Sequence, residues 1–155
     1  MAPTVRPFAG FVFVASALVL AAALASQYWG GLAPCELCLK ERWAWDAALV
    51  VAAVAFAARL RFAPPLLAAI FAAGAALAFY HVGVEQHWFA GPSSCTAGSG
   101  GAQTVEDLRR QILGTEPVLC DQVQWSLFGI SLAGWNLIAS LAMTLCCLAA
   151  IRRRA

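Results

Sequence analysis

The sequence predicts an all-α membrane protein, and three observations lead there. Of its 155 residues 62% are hydrophobic and only 12% charged, whereas a soluble domain carries roughly half apolar residues. The apolar residues gather into four long runs, at about 8–26, 43–60, 66–84 and 127–151, each of a length that can cross a bilayer as a helix. Finally, the charges are sorted by side. Arg6, Arg59, Arg61, Arg152, Arg153 and Arg154 flank the run ends on one side with no acid among them, while all eight acidic residues, Glu36 to Asp121, lie in or beside the two segments on the other side. By the positive-inside tendency the arginine side is cytoplasmic. A net charge of +2 gives no footing for nucleic-acid binding.

Taken in order, these elements make one transmembrane domain over 1–155, with external segments at about 27–42 and 85–126. Within the first run Ala23-Leu24-Ala25 resembles a signal-peptidase site, but the run is longer than the roughly 7–15 residues of a signal-peptide core, so a retained span is expected. Either outcome leaves both loops outside. Arg59 to Pro65 reads as a tight cytoplasmic turn broken by Pro64-Pro65, which makes the second and third spans antiparallel neighbours.

In the second external segment, His87-Trp88-Phe89-Ala90-Gly91-Pro92 leads through Cys95 into Thr96-Ala97-Gly98-Ser99-Gly100-Gly101, a tether composition that predicts an accessible Cys95. Thr104-Val105-Glu106-Asp107 then resembles a helix start, and Val105, Leu108 and Ile112 share one face of a short amphipathic helix suited to lie on the membrane. Trp29, Trp43, Trp45, Trp88 and Trp125 fall near the external interface, as an aromatic belt would.

The stretch around which the chemistry gathers is Pro34-Cys35-Glu36-Leu37-Cys38-Leu39-Lys40-Glu41-Arg42, a Cys-x-x-Cys pair entering a helix. The thiolate is the attacking form, so reactivity here depends on lowering a thiol pKa. If the helix begins near Cys38, its free N–H groups favour an anion there and Arg42 lies one turn on, which makes Cys38 the expected thiolate. Asp46, four residues past Arg42, is a competing partner for that cation.

Of the six cysteines, Cys35, Cys38, Cys95 and Cys120 are external, where disulfides persist. Cys146 and Cys147 near the cytoplasmic end of the last span read as packing residues. A four-cysteine zinc site does not suit the wide Cys95 to Cys120 spacing, and haem attachment would want His where Leu39 stands, so no metal is expected. Redox catalysis and two static disulfides both stay open on spacing alone.

Taken together, the Pro34-Cys35 to Cys38 pair with Glu41-Arg42 after it, the His87-Trp88, Gly91-Pro92 and Cys95 series, and Cys120 with Gln124-Trp125 and Phe128-Gly129-Ile130 resemble the disulfide bond formation protein B (DsbB) family across essentially the whole chain. That resemblance implies a four-helix transmembrane bundle in the bacterial inner membrane, with both termini cytoplasmic and both loops periplasmic. It also implies an enzyme that reoxidises a periplasmic thioredoxin-like oxidase of the DsbA type and passes the electrons to ubiquinone or menaquinone in the membrane pool.

By the same resemblance Cys95 takes the mixed disulfide with the partner, Cys120 is its companion and exchanges with Cys35, and Cys38 is the thiolate beside the quinone with Arg42 stabilising the charge. His87 is a further, weaker candidate for the quinone site. Two other functions compete. One is a vitamin K epoxide reductase-like oxidoreductase, which the order of the cysteine pairs disfavours; the other is a non-catalytic membrane scaffold stapled by disulfides.

Overall fold

The computed structural model describes residues 5–92, 105 and 118–153. Cys95 and nearly all of the short helix expected after Thr104 lie outside the described residues. The described chain is all-α apart from one small hairpin: α1 (Val5–Tyr28), α2 (Glu36–Ala58), α3 (Ala63–Glu85), strands β1 (Ser126–Leu127) and β2 (Ile130–Ser131), and α4 (Leu132–Arg152). Helices α1, α3 and α4 are each long and apolar enough to cross a membrane. Their outer faces present large apolar side chains, among them Val14, Leu18, Leu141 and Leu145, as surfaces solvated by lipid do.

The apolar part of α2 is shorter, because its first turns carry Glu36, Lys40, Glu41, Arg42 and Asp46. This helix begins at Glu36, two residues earlier than the sequence suggests. Cys35 is its N-cap, with its sulfur accepting the Cys38 backbone N–H at 3.2 Å, so the cysteine takes the place usually filled by Ser or Asp. At the other end, Arg59 closes α2 in the left-handed region (φ 56°). Pro64 and Pro65 sit in the first turn of α3, where the N–H they lack would have no helical partner.

Helix α3 packs most extensively on α4 and α1 on α2, with α2 and α3 joining the two pairs. The core runs through Val12, Trp45, Ala48, Ala52, Ala55, Leu67, Phe71 and Met143. Alanines four and three positions apart give α2 a smooth stripe that lets a neighbouring backbone close in. A close approach between α2 and α3 is at Gly74, where an added Cβ would stand 3.0 Å from the Ala44 Cβ. Gly74→Leu is expected to force α2 and α3 apart at a cost of about 1–3 kcal/mol, measurable as a lower unfolding midpoint in detergent; Gly10→Ala, whose Cβ would meet only ordinary contact with Phe56, should leave that midpoint in place.

The last apolar run begins differently from its sequence prediction. Residues 126–131 form a hairpin pairing Ser126 with Ser131 and Leu127 with Ile130, turned by Phe128 and Gly129 at φ 54° and 77°. Two consecutive positive φ values suit the right-handed strand twist, and Gly129 adopts one without steric cost. Helix α4 starts only at Leu132, capped by Ser131, whose hydroxyl accepts the Gly134 N–H and donates to Glu85 at the end of α3.

Candidate functional site

The N-terminal end of α2, the C-terminal end of α3 and the first turns of α4 meet at one level. Cys35 and Cys38 are both free thiols with their sulfurs 2.7 Å apart, because a cap residue and the third residue of a first helical turn lie on the same side. His81 reaches them from α3. Its Nε2 is 3.6 Å from the Cys35 sulfur, and its Nδ1 is 2.7 Å from Glu41 Oε1. The other carboxylate oxygen of Glu41 accepts from Asn136 Nδ2 at 2.7 Å, and Asn136 Oδ1 in turn accepts from the Trp45 indole N–H at 2.7 Å.

A continuous polar chain therefore runs from Cys38 through Cys35, His81, Glu41 and Asn136 to Trp45. His81 and Glu41 are only 3% and 6% exposed, and a carboxylate so deeply placed is sustained by having both oxygens occupied. Because that carboxylate accepts from Nδ1–H, the Nε2 of a neutral His81 is left as an acceptor facing sulfur.

The thiol electrostatics follow from this arrangement. The Cys35 thiol is pulled down to about 4, first by the hydrogen bond from Cys38, against the opposing effect of burial, and further by His81 and the Cys38 backbone N–H. Cys38 is pushed up, first because its hydrogen bond to Cys35 holds its proton, then by burial. These influences favour Cys35, at the helix cap, as the anionic sulfur, where the sequence points to Cys38. The Cys38 side chain and His81 favour the charge there first, and the earlier helix start adds the Cys38 backbone N–H.

Arg42 also departs from expectation. Its guanidinium donates to Gln27 Oε1 at 2.7 Å and to the Ala23 carbonyl at 3.3 Å, tying α2 to α1, and no ion pair with Asp46 forms among the described residues. It nevertheless lines, together with Cys35, Cys38, Glu41 and His81, a cavity of 530 Å³ whose walls are otherwise largely apolar, including Val19, Leu20, Leu132 and Ala139. Trp45, Trp125 and Trp135 line it as well. Trp45 is buried at 3% exposure and belongs to the polar chain rather than to an interfacial belt.

His87 stands apart from the cavity. It is exposed, at φ 58° in the turn that ends α3, where Trp88 and Phe89 donate back to Gly83. The histidine that enters the site is His81, one of the two in the chain. Its sequence signal was an ionisable residue inside an otherwise apolar span, a placement that costs free energy and marks function. Glu41, beside the Cys-x-x-Cys pair, carried a similar signal.

Cys120 is disulfide-bonded, 1% exposed, and packed in one buried cluster with Cys35, Leu37 and Val84, against which Cys38, Leu77, Tyr80 and Val118 also pack. A reduced pair from the first loop and an oxidised cysteine from the second thus share one apolar pocket. The profile of the family described as "Disulfide bond formation protein DsbB" matches residues 5–150. The chain belongs to the DsbB family.

Relatives named disulfide bond formation protein B agree over nearly the full length. That of Stutzerimonas stutzeri (strain A1501) is 32% identical, covering 92% of this chain and 91% of the relative. That of Neisseria meningitidis serogroup A is 31% identical over 94% of each, and that of an Azoarcus species 28% identical over 86% and 84%. No solved structure matches the chain. Membership in the DsbB family assigns the protein to disulfide bond formation, and the thiol cluster is the part of this fold suited to it.

Proposed function

We propose that this protein regenerates a DsbA-type periplasmic thiol oxidase and delivers the electrons to ubiquinone or menaquinone, from a four-span position in the bacterial inner membrane with both termini cytoplasmic. The observation that carries the proposal is the shared burial of disulfide-bonded Cys120 with the Cys35–Cys38 dithiol at the edge of a large apolar cavity. Exchange between two cysteine pairs needs their sulfurs to meet, and reoxidation needs a lipid-soluble acceptor within reach of one pair.

In the first step the partner's dithiol attacks a Cys95–Cys120 disulfide through a mixed disulfide at Cys95. The partner leaves oxidised, and Cys95 and Cys120 hold two thiols. In the second, Cys120 attacks Cys35 of a Cys35–Cys38 disulfide, Cys38 leaves, and Cys95 then attacks Cys120, which restores the second-loop disulfide and leaves Cys35 and Cys38 reduced. The lowered Cys35 pKa favours this direction, since stabilising the reduced thiolate makes the pair a stronger oxidant.

A quinone bound in the cavity supplies a two-electron, two-proton acceptor, which lets the Cys35–Cys38 disulfide re-form. The cavity fits such a ring: its walls are largely apolar, Arg42 lines it with donors, and His81 Nε2 becomes a further donor once it carries a proton. His81, held by Glu41, takes the Cys35 proton and holds it near the reacting sulfurs. Arg42, anchored to Gln27 and the Ala23 carbonyl, fixes a positive charge at the cavity wall.

The test is quinone reduction by the purified chain in detergent, driven by a reduced thioredoxin-like oxidase. Cys38→Ser and Cys95→Ser are each expected to abolish turnover, while Cys38→Ser still accumulates a mixed disulfide with the partner. A native chain that reduces no quinone, with all four external cysteines inert to trapping reagents, would show a stapled scaffold instead.

A further inference from the structure

We propose that the reduced Cys35–Cys38 pair and His81 form a binding site for a divalent ion of the zinc class, closed to the metal once the pair is oxidised. This goes beyond the thiol relay and requires neither quinone nor a partner protein. Cys35, Cys38 and His81 each offer one ligand atom, and these atoms lie within 4.8 Å of one another. Two thiolates and an imidazole are the donor set that zinc prefers, and three protein ligands leave a fourth position open.

The geometry is close to what the ion requires. Zinc–sulfur and zinc–nitrogen bonds at tetrahedral angles set sulfur and nitrogen about 3.6 Å apart and two sulfurs about 3.8 Å apart. The Cys35 sulfur and His81 Nε2 already stand at 3.6 Å. The sulfurs, at 2.7 Å, must separate by roughly 1 Å to reach the tetrahedral spacing, a movement a half-buried Cys38 can make by rotating its side chain toward the cavity.

The outer shell is in place as well. A metal-bound histidine almost always gives its other ring N–H to a carboxylate, and Glu41 accepts that bond at 2.7 Å while Asn136 holds its second oxygen. His81 Nε2 is thereby presented to the sulfurs without rearrangement. The fourth position opens on the 530 Å³ cavity. Binding of one ion displaces the Cys38 thiol proton and the proton that Cys35 has passed to His81 Nε2, with no change of oxidation state. A Cys35–Cys38 disulfide lacks the anionic donors, so metal and oxidation exclude each other.

The experiment uses the full chain in detergent, reduced with a metal-free phosphine that is then removed, and titrated with zinc and separately with cobalt(II). One ion per chain and sulfur-to-cobalt charge-transfer absorption are expected, both disappearing after oxidation of the native chain, a comparison that needs no substitution. Affinity should fall at least about 100-fold in Cys38→Ser and roughly 10–100-fold in Glu41→Gln. It should be unchanged in Cys146→Ser, which removes the exposed free thiol near the other end of α4. Equal binding by oxidised protein, affinity indifferent to His81→Gln, or loss of binding in Cys146→Ser would each overturn the site.

Discussion

Replacing His81 by glutamine is expected to slow quinone reduction by about 10²–10⁴-fold, the range that a positioned proton-transfer group contributes. Glutamine keeps a polar end near the Cys35 sulfur yet cannot take its proton. His81 has its Nε2 3.6 Å from that sulfur and its Nδ1 fixed by a carboxylate that is itself fixed by Asn136, so ring orientation and proton acceptance should be lost together. Exchange between the second-loop pair and the partner oxidase should continue in a single turnover, because it does not involve the histidine. Equal quinone turnover in His81→Gln and native protein would remove the residue from the mechanism. Slower partner exchange would reveal a structural defect instead.

The second large effect is on pH dependence. With the Cys35 thiol lowered from 9.0 to about 4, its alkylation rate in the reduced protein should stay level from neutral pH to about 5 and halve near 4. A free cysteine would slow by about 100-fold between pH 7 and 5. The sign follows from linkage: a group whose folded pKa is depressed stabilises the folded, reduced state fully above its unperturbed value and loses that contribution as pH falls through the folded value. Since the bond from Cys38 is the largest lowering influence, Cys38→Ala should move the Cys35 inflection upward. Competitive isotope labelling of the two cysteines measures this directly, and an inflection near that of a free thiol in the native chain would refute it.

How much of this was legible in the sequence differs from element to element. The apolar helices could be read from the length of the runs at 8–26, 66–84 and 127–151, because bilayer thickness fixes helix length whatever the packing. The start of α2 could not, since Cys35 serves as its own helix cap and cysteine is not among the usual capping residues. That two-residue difference aims the Cys38 N–H at the Cys35 sulfur. The hairpin at 126–131 was hidden inside an apolar run, though Phe128-Gly129 marks its turn.

Arg42 was expected one turn from Cys38 as the cation beside its sulfur, but its bonds to Gln27 and Ala23 depend on how α1 packs against α2, which no local pattern encodes. His81 and Glu41 are 40 positions apart, so only the antiparallel packing of α2 on α3 brings them together. Each was visible as a costly ionisable group beside apolar sequence. Their pairing was not.

The burial of Cys120 beside Cys35 in an apolar cluster bears on leakage. Small thiols dissolved in the surrounding water are strongly hydrated, and reaching this junction past Leu37, Val84 and Val118 would require them to shed that water against apolar side chains. The internal cysteines make the same approach as part of the folded chain. Current between the two pairs is thus insulated by the packing itself, and short-circuiting by free thiol should rise when the wall is pierced, for instance by Leu37→Ala.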